Sequence, residues 1–225
     1  MKTLLQFVIY LAAFILVGCI HSGHSFYLEE DLIEMDEIVG TWQEIDIWDS
    51  NLNKLENEIF NGDQNLSEAD LIFLDTAYEP SEWVWIIEKG PKNNYTAFHH
   101  NAKEINTFII HSFELYGQKY LDIYPDYEKF EDRIFKDNLI PTHTLARIKQ
   151  TRDYALVEVL VSSNVQVYRE VIDEMVSLDP DGASPVWPHG GKIYMDSTKF
   201  LQEKIQRILP QDTAWLSIRM LKKMK

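Results

Sequence analysis

The stretch whose reading decides the fold is WVWIIEK (Trp83 to Lys89), followed by Gly90-Pro91-Lys92-Asn93-Asn94 and then by YTAFHH (Tyr95 to His100). Two runs rich in aromatic and β-branched residues flank a Gly/Pro/Asn cluster, which is the composition of a hairpin. The arrangement recurs downstream. TFIIHSFEL (Thr107 to Leu115) and KYLDIY (Lys119 to Tyr124) flank Tyr116-Gly117-Gln118, while THTLARIKQT (Thr142 to Thr151) and YALVEVLV (Tyr154 to Val161) flank Arg152-Asp153. Upstream, IVGTWQEIDI (Ile38 to Ile47) has the same β character. Several short strands joined by tight turns predict a mainly β fold, an antiparallel up-and-down β-barrel.

Alternation sorts the strand residues into two faces. Ile109, His111, Phe113 and Leu115 share one side of their strand and Ser112 and Glu114 the other, so the more apolar side is expected to face inward. Ala155, Val157 and Val159 likewise oppose Glu158. Two stretches depart from the β pattern. Residues 51–81 form an excursion that the sequence reads as one or two short helices, and Val165, Tyr168, Ile172, Met175 and Val176 form a helical stripe. A further helix is expected from Ser197 or Thr198 through Ile208, appended to the barrel, and Trp215 to Lys225 fits a strand and a helix equally well.

Charge and cysteine content narrow the function. Of 225 residues, 36 are acidic and 21 basic, a formal net charge of -15, which argues against binding a nucleic-acid backbone. A single cysteine excludes an intramolecular disulfide and a cysteine-based zinc finger. That cysteine closes an N-terminal segment with one early lysine, Lys2, and an apolar run from Leu4 to Val17. The run has the length of a signal-peptide core and is shorter than the roughly 20 residues of a membrane span. Leu16-Val17-Gly18-Cys19 resembles the lipobox of bacterial lipoproteins, which implies cleavage before Cys19 and acylation of it. The resemblance implies residues 1–18 as a lipoprotein signal peptide and a bilayer partner through acylated Cys19, in the outer membrane for a Gram-negative cell because Ile20 follows in place of aspartate. From Cys19 to Lys54 there are nine acids and no base, so residues 19–35 are expected to form a lipidated tether and 36–225 the barrel domain with its insertion at 51–81.

Gly40-Thr41-Trp42 resembles the Gly-X-Trp signature of lipocalins, in which glycine permits a close turn and tryptophan plugs the barrel base. Together with Tyr120-Leu121-Asp122-Ile123-Tyr124-Pro125, Leu139-Ile140-Pro141-Thr142-His143-Thr144-Leu145 and Ile193-Tyr194-Met195-Asp196-Ser197-Thr198, it is similar to an uncharacterised family of lipocalin-like bacterial lipoproteins. The resemblance covers roughly residues 38–208. It implies structural roles for Gly40 and Trp42 and carries no catalytic residue.

Candidate binding residues are Trp85, Phe98, His111, Phe113 and Asp122, which alternation and composition suggest as an aromatic cup with two polar groups. Trp83 and Tyr120 fit the same cup. His-Glu-X-X-His, Gly-X-Ser-X-Gly and phosphate-loop patterns are missing, so the sequence points away from an enzyme and implies no cofactor or metal. Two readings remain. One is a barrel that holds an apolar or amphipathic small molecule; the other is a filled barrel that docks an envelope protein through its acidic surface or residues 51–81.

Overall fold

The computed structural model describes residues 21–45, 80–129, 142–151, 153–160, 193–209 and 215–224. Its strands are β1 (His21–Ser22), β2 (Gly40–Ile45), β3 (Pro80–Lys89), β4 (Asn94–His100), β5 (Ile105–Leu115), β6 (Gln118–Pro125), β7 (His143–Gln150), β8 (Tyr154–Leu160), β9 (Ile193–Tyr194) and β10 (Trp215–Lys223). One α-helix, α1 (Thr198–Ile205), lies among the described residues. Antiparallel pairing runs β2-β3-β4-β5-β6-β7-β8-β10, and β10 returns to β2, so eight strands close a barrel. Closure leaves no long unpaired edge, the feature that makes open sheets prone to association. The ambiguous C-terminal segment is therefore a strand, and the one that completes the ring.

Tight turns drive the meander. Lys92 and Asn93 both take left-handed backbone (φ 54 and 58), as do Tyr116 and Gly117 (φ 54 and 77), the conformation that matches the twist of paired strands. These turns, and that at 151–153, lie at one end of the barrel. The C-terminal ends of β2, β4, β6 and β8 lie at the other, called here the mouth. The excursion at 51–81, for its part before Pro80, and the helical stripe at Asn164 to Leu178 fall outside the described residues.

Register identifies the inner face. Trp42 lies opposite Trp85 and Trp85 opposite His99; Ile87 pairs with Ala97 and Ala97 with Phe108; Ile110 pairs with Ile123; Leu121 pairs with Ala146 and Ala146 with Val159. Trp42, Ile87, Tyr95, Ala97, Ile110, Leu121, Ala146, Ala155, Val159 and Leu221 form one buried cluster drawn from every strand of the ring, which only an interior can do. The inward face of β8 is the expected one. That of β5 is the opposite: Ile110 and Ser112 point in, whereas His111 and Phe113 point out. Alternation separates two faces but does not say which is covered by what. Here the outer face of β5 is buried as well, because Phe113, Leu115, Tyr120, Leu145, Leu160 and Trp215 pack under Phe26 and α1 in a second core.

Residues 21–39 supply much of that cover. Expected through residue 35 to hang free as a tether, the described part instead forms a strap along the outer wall. His21 and Ser22 pair with Thr144 and His143. Phe26 is fully buried, Leu32 bridges to Phe113, and the Ile33 amide donates to the Ser112 carbonyl at 3.0 Å. Gln202 of α1 donates to the Phe26 carbonyl at 3.0 Å and to the Asp31 carboxylate at 2.7 Å, locking strap to helix. An acidic run of this length stays put because Phe26, Met35 and Ile38 are buried, each stabilising by about 1.5–3 kcal/mol.

The strap ends by closing the barrel base. Met35 and Ile38 join the interior cluster, and the Met35 amide donates to the Tyr95 hydroxyl at 2.7 Å. Trp42, 1% exposed, donates from Nε1 to the Ile38 carbonyl at 2.8 Å, and Lys223 Nζ lies 5.0 Å from its ring centre. Gly40 has φ +135, a backbone region that disfavours side chains, and a Cβ there would meet Lys223 Cε at 3.3 Å. Both residues thus sit at the closed base of the barrel.

Candidate functional site

The mouth half of the interior carries a polar cluster. Glu44 is the inward residue near the end of β2, and Trp83 and Trp85 are successive inward residues of β3. His99 comes from β4 in direct register with Trp85, and Arg219 from β10 just past a bulge. The bulge re-aims Arg219 from its strand toward Glu44. Three side-chain nitrogens converge on one carboxylate oxygen, Glu44 Oε1: Trp85 Nε1 donates at 2.7 Å, Arg219 Nε donates at 3.1 Å, and His99 Nε2 lies at 3.0 Å. The His99 contact is at ion-pair distance without the alignment of a hydrogen bond. The His99 ring is stacked between both indoles, 4.3 Å from each centre at 22° and 23°.

Burial acts on Glu44 most strongly and pushes its pKa up. The His99 contact, the Arg219 charge and the Trp85 hydrogen bond together outweigh it, so the carboxyl is held below its usual value of 4.5. It is an anion in the folded protein at neutral pH. An ion pair inside a barrel is an expensive way to fill space compared with apolar packing. Trp83, Trp85, Phe108 and Ile123 on the same inner wall remain half-buried, in contrast to the sealed residues at the base.

Of the residues that the sequence suggested, only Trp83 and Trp85 lie in this lumen. Phe98 pairs with Ile86 and Thr107 on the outer face and is half-buried there. His111, Phe113 and Asp122 are also outside, under the strap. Asp122 is fully buried and accepts from the Phe26 amide at 3.1 Å and from His143 Nδ1 at 2.9 Å. His111 stacks on Tyr27 at 4.7 Å, and His143 lies against Tyr124 at 4.6 Å. Burial lowers the pKa of His111 and His143 adds to this, against the opposing pull of Asp122. Burial, then Asp122 and Glu29, push the Tyr27 hydroxyl up to about 12. These three residues fasten the strap to the wall and do not line a cup. Among the described residues no group of three His, Cys, Asp or Glu side chains is placed to hold a metal ion.

Sequence reasoning placed Trp83 in the cup but missed Glu44, His99 and Arg219. Period-two spacing within one hairpin carries the Trp83, Trp85 and His99 part of the signal, since a strand pair in register sets them on one side. Glu44 and Arg219 come together only through ring closure between chain segments 175 residues apart. Compared with known proteins, the chain matches no family model, no curated protein and no solved structure.

Proposed function

We propose that the chain is a lipid-anchored protein of a bacterial cell envelope, lipocalin-like in construction, whose barrel mouth holds an apolar or amphipathic small molecule. The observation that carries the binding reading is the half-buried wall of Trp83, Trp85 and Phe108 around Glu44, Arg219 and His99. Such a wall offers flat apolar surface with a few fixed polar groups, the make-up of small-ligand sites. The anchor rests on the lipobox ending at Cys19 and on the lack of another cysteine to explain that thiol. Nothing in the site calls for chemistry on the ligand: the carboxylate is held by the Trp85 and Arg219 hydrogen bonds and the His99 contact, and binding is the simpler use of the arrangement.

Native mass spectrometry of the full chain, extracted gently from membranes, tests the reading. A bound small molecule that dissociates on activation is expected. A ligand-free barrel that carries a stoichiometric protein partner would favour the filled-barrel docking alternative, for which the sealed base of the interior is the supporting observation.

A further inference from the structure

The strap sets how far the barrel can stand from its anchor. The inference rests on Cys19 being the acylated residue, as proposed above. Only Ile20 separates Cys19 from His21, and His21 already pairs with Thr144 of β7 and Ile193 of β9. Two trans peptide units place the Cα of Cys19 within about 7.6 Å of that of His21. Acyl chains on Cys19 fix its backbone at headgroup level, and a headgroup layer is only roughly 5–7 Å thick. There is no slack for a tether.

We infer that the anchored barrel sits directly on the bilayer, with the outer rim beside β1 and β9 pressed against the lipid headgroups. The exposed apolar side chains fit this placement. Met195, 38% exposed, directly follows β9, and Phe200, 36% exposed, lies in the first turn of α1, with exposed Lys199 beside it. Lys204 Nζ lies 5.0 Å from the Phe200 ring centre, so an aromatic body and a cationic head share one patch, the pairing favoured at a membrane interface. Ser22 and His143 tie this rim to the mouth end of β7. The mouth is thereby brought next to the lipid, and an apolar ligand passes between bilayer and barrel with little travel through water.

The test uses the full acylated chain in phosphatidylcholine vesicles that contain quencher-labelled lipid. Acylation consumes the one native thiol, so Met195→Cys and Tyr116→Cys each provide a single labelling site on an exposed residue, the second at the base of the barrel. Mass spectrometry first reads the acyl mass on Cys19. A fluorophore at position 195 is expected to be quenched several-fold more strongly than one at 116. Acylated protein with both labels equally accessible to water, or with 116 the more quenched, overturns the orientation and leaves the anchor standing. An unacylated Cys19 overturns the anchor and the orientation together.

Discussion

Replacing Trp42 with alanine tests whether the base of the barrel is built as described. The indole is 1% exposed, donates to the Ile38 carbonyl at 2.8 Å and lies 5.0 Å beneath Lys223 Nζ. Truncating a buried tryptophan costs about 3–5 kcal/mol, cavity included. The Ile38 carbonyl, left in a sealed base, adds about 1–3 kcal/mol when no water reaches it, and the cation–π contact about 0.5–1 kcal/mol. These contributions overlap, so about 4 kcal/mol is the working figure. With a urea slope of about 2 kcal/mol per molar for a domain of this size, the midpoint should fall by about 2 M. Trp42→Phe keeps the ring and loses the donor, so its midpoint should lie between the two. Urea unfolding followed by far-ultraviolet circular dichroism reads both. A Trp42→Ala effect within the roughly 0.5 kcal/mol of an ordinary surface substitution would refute the plug.

Three other outcomes are expected. Because burial lowers the His111 pKa below its usual 6.5, the unfolded chain binds that proton first, and stability should decline as pH falls through 6.5 and level off below the depressed folded value. His111→Phe should flatten that part of a plot of urea midpoint against pH, and parallel plots for the two proteins would contradict the assignment. Cys19→Ser should abolish palmitate labelling and release the protein from membranes; persistent labelling would rule out the lipobox reading. Phe113→Trp overpacks the core between the barrel wall and α1, so it should destabilise by about 1–3 kcal/mol without changing ligand affinity, as thermal melts and titration would show.

The barrel was legible in the sequence because its signals are local. Asn93 and Gly117 sit where turns require left-handed backbone, and Ala155, Val157 and Val159 alternate against Glu158 as a strand should. Sidedness was not legible at β5, where both faces are covered. His111 and Phe113 were expected inside because their face is the more apolar, yet that apolarity serves the strap and α1. Glu158 shows the same limit from the other side: it points outward but is 1% exposed, held by Arg147 at 2.6 Å and Lys149 at 3.4 Å. The acidic run that suggested a free tether hides Phe26, Met35 and Ile38 at intervals that reach buried sites. Nothing local in residues 21–35 announces the groove of β5, β6 and α1 that receives Phe26, or the barrel base that receives Met35 and Ile38. Likewise the Glu44–Arg219 pair depends on which strand closes the ring.

The central claim is that a small apolar or amphipathic molecule occupies the mouth half of the barrel, and equilibrium titration with a neutral fluorescent lipid tests it most directly. Three proteins suffice: wild type, Phe108→Trp on the inner wall, and Phe98→Ala on the outer face of the neighbouring strand. Phe108 is half-buried beside Trp85, with ring centres 5.6 Å apart, so added bulk there intrudes on the lumen. Saturable binding by wild type and Phe98→Ala, with affinity lowered about tenfold or more in Phe108→Trp, is the expected result, a difference of roughly 1.4 kcal/mol. No saturable binding by wild type, or the same affinity in all three, would contradict a ligand site inside the barrel.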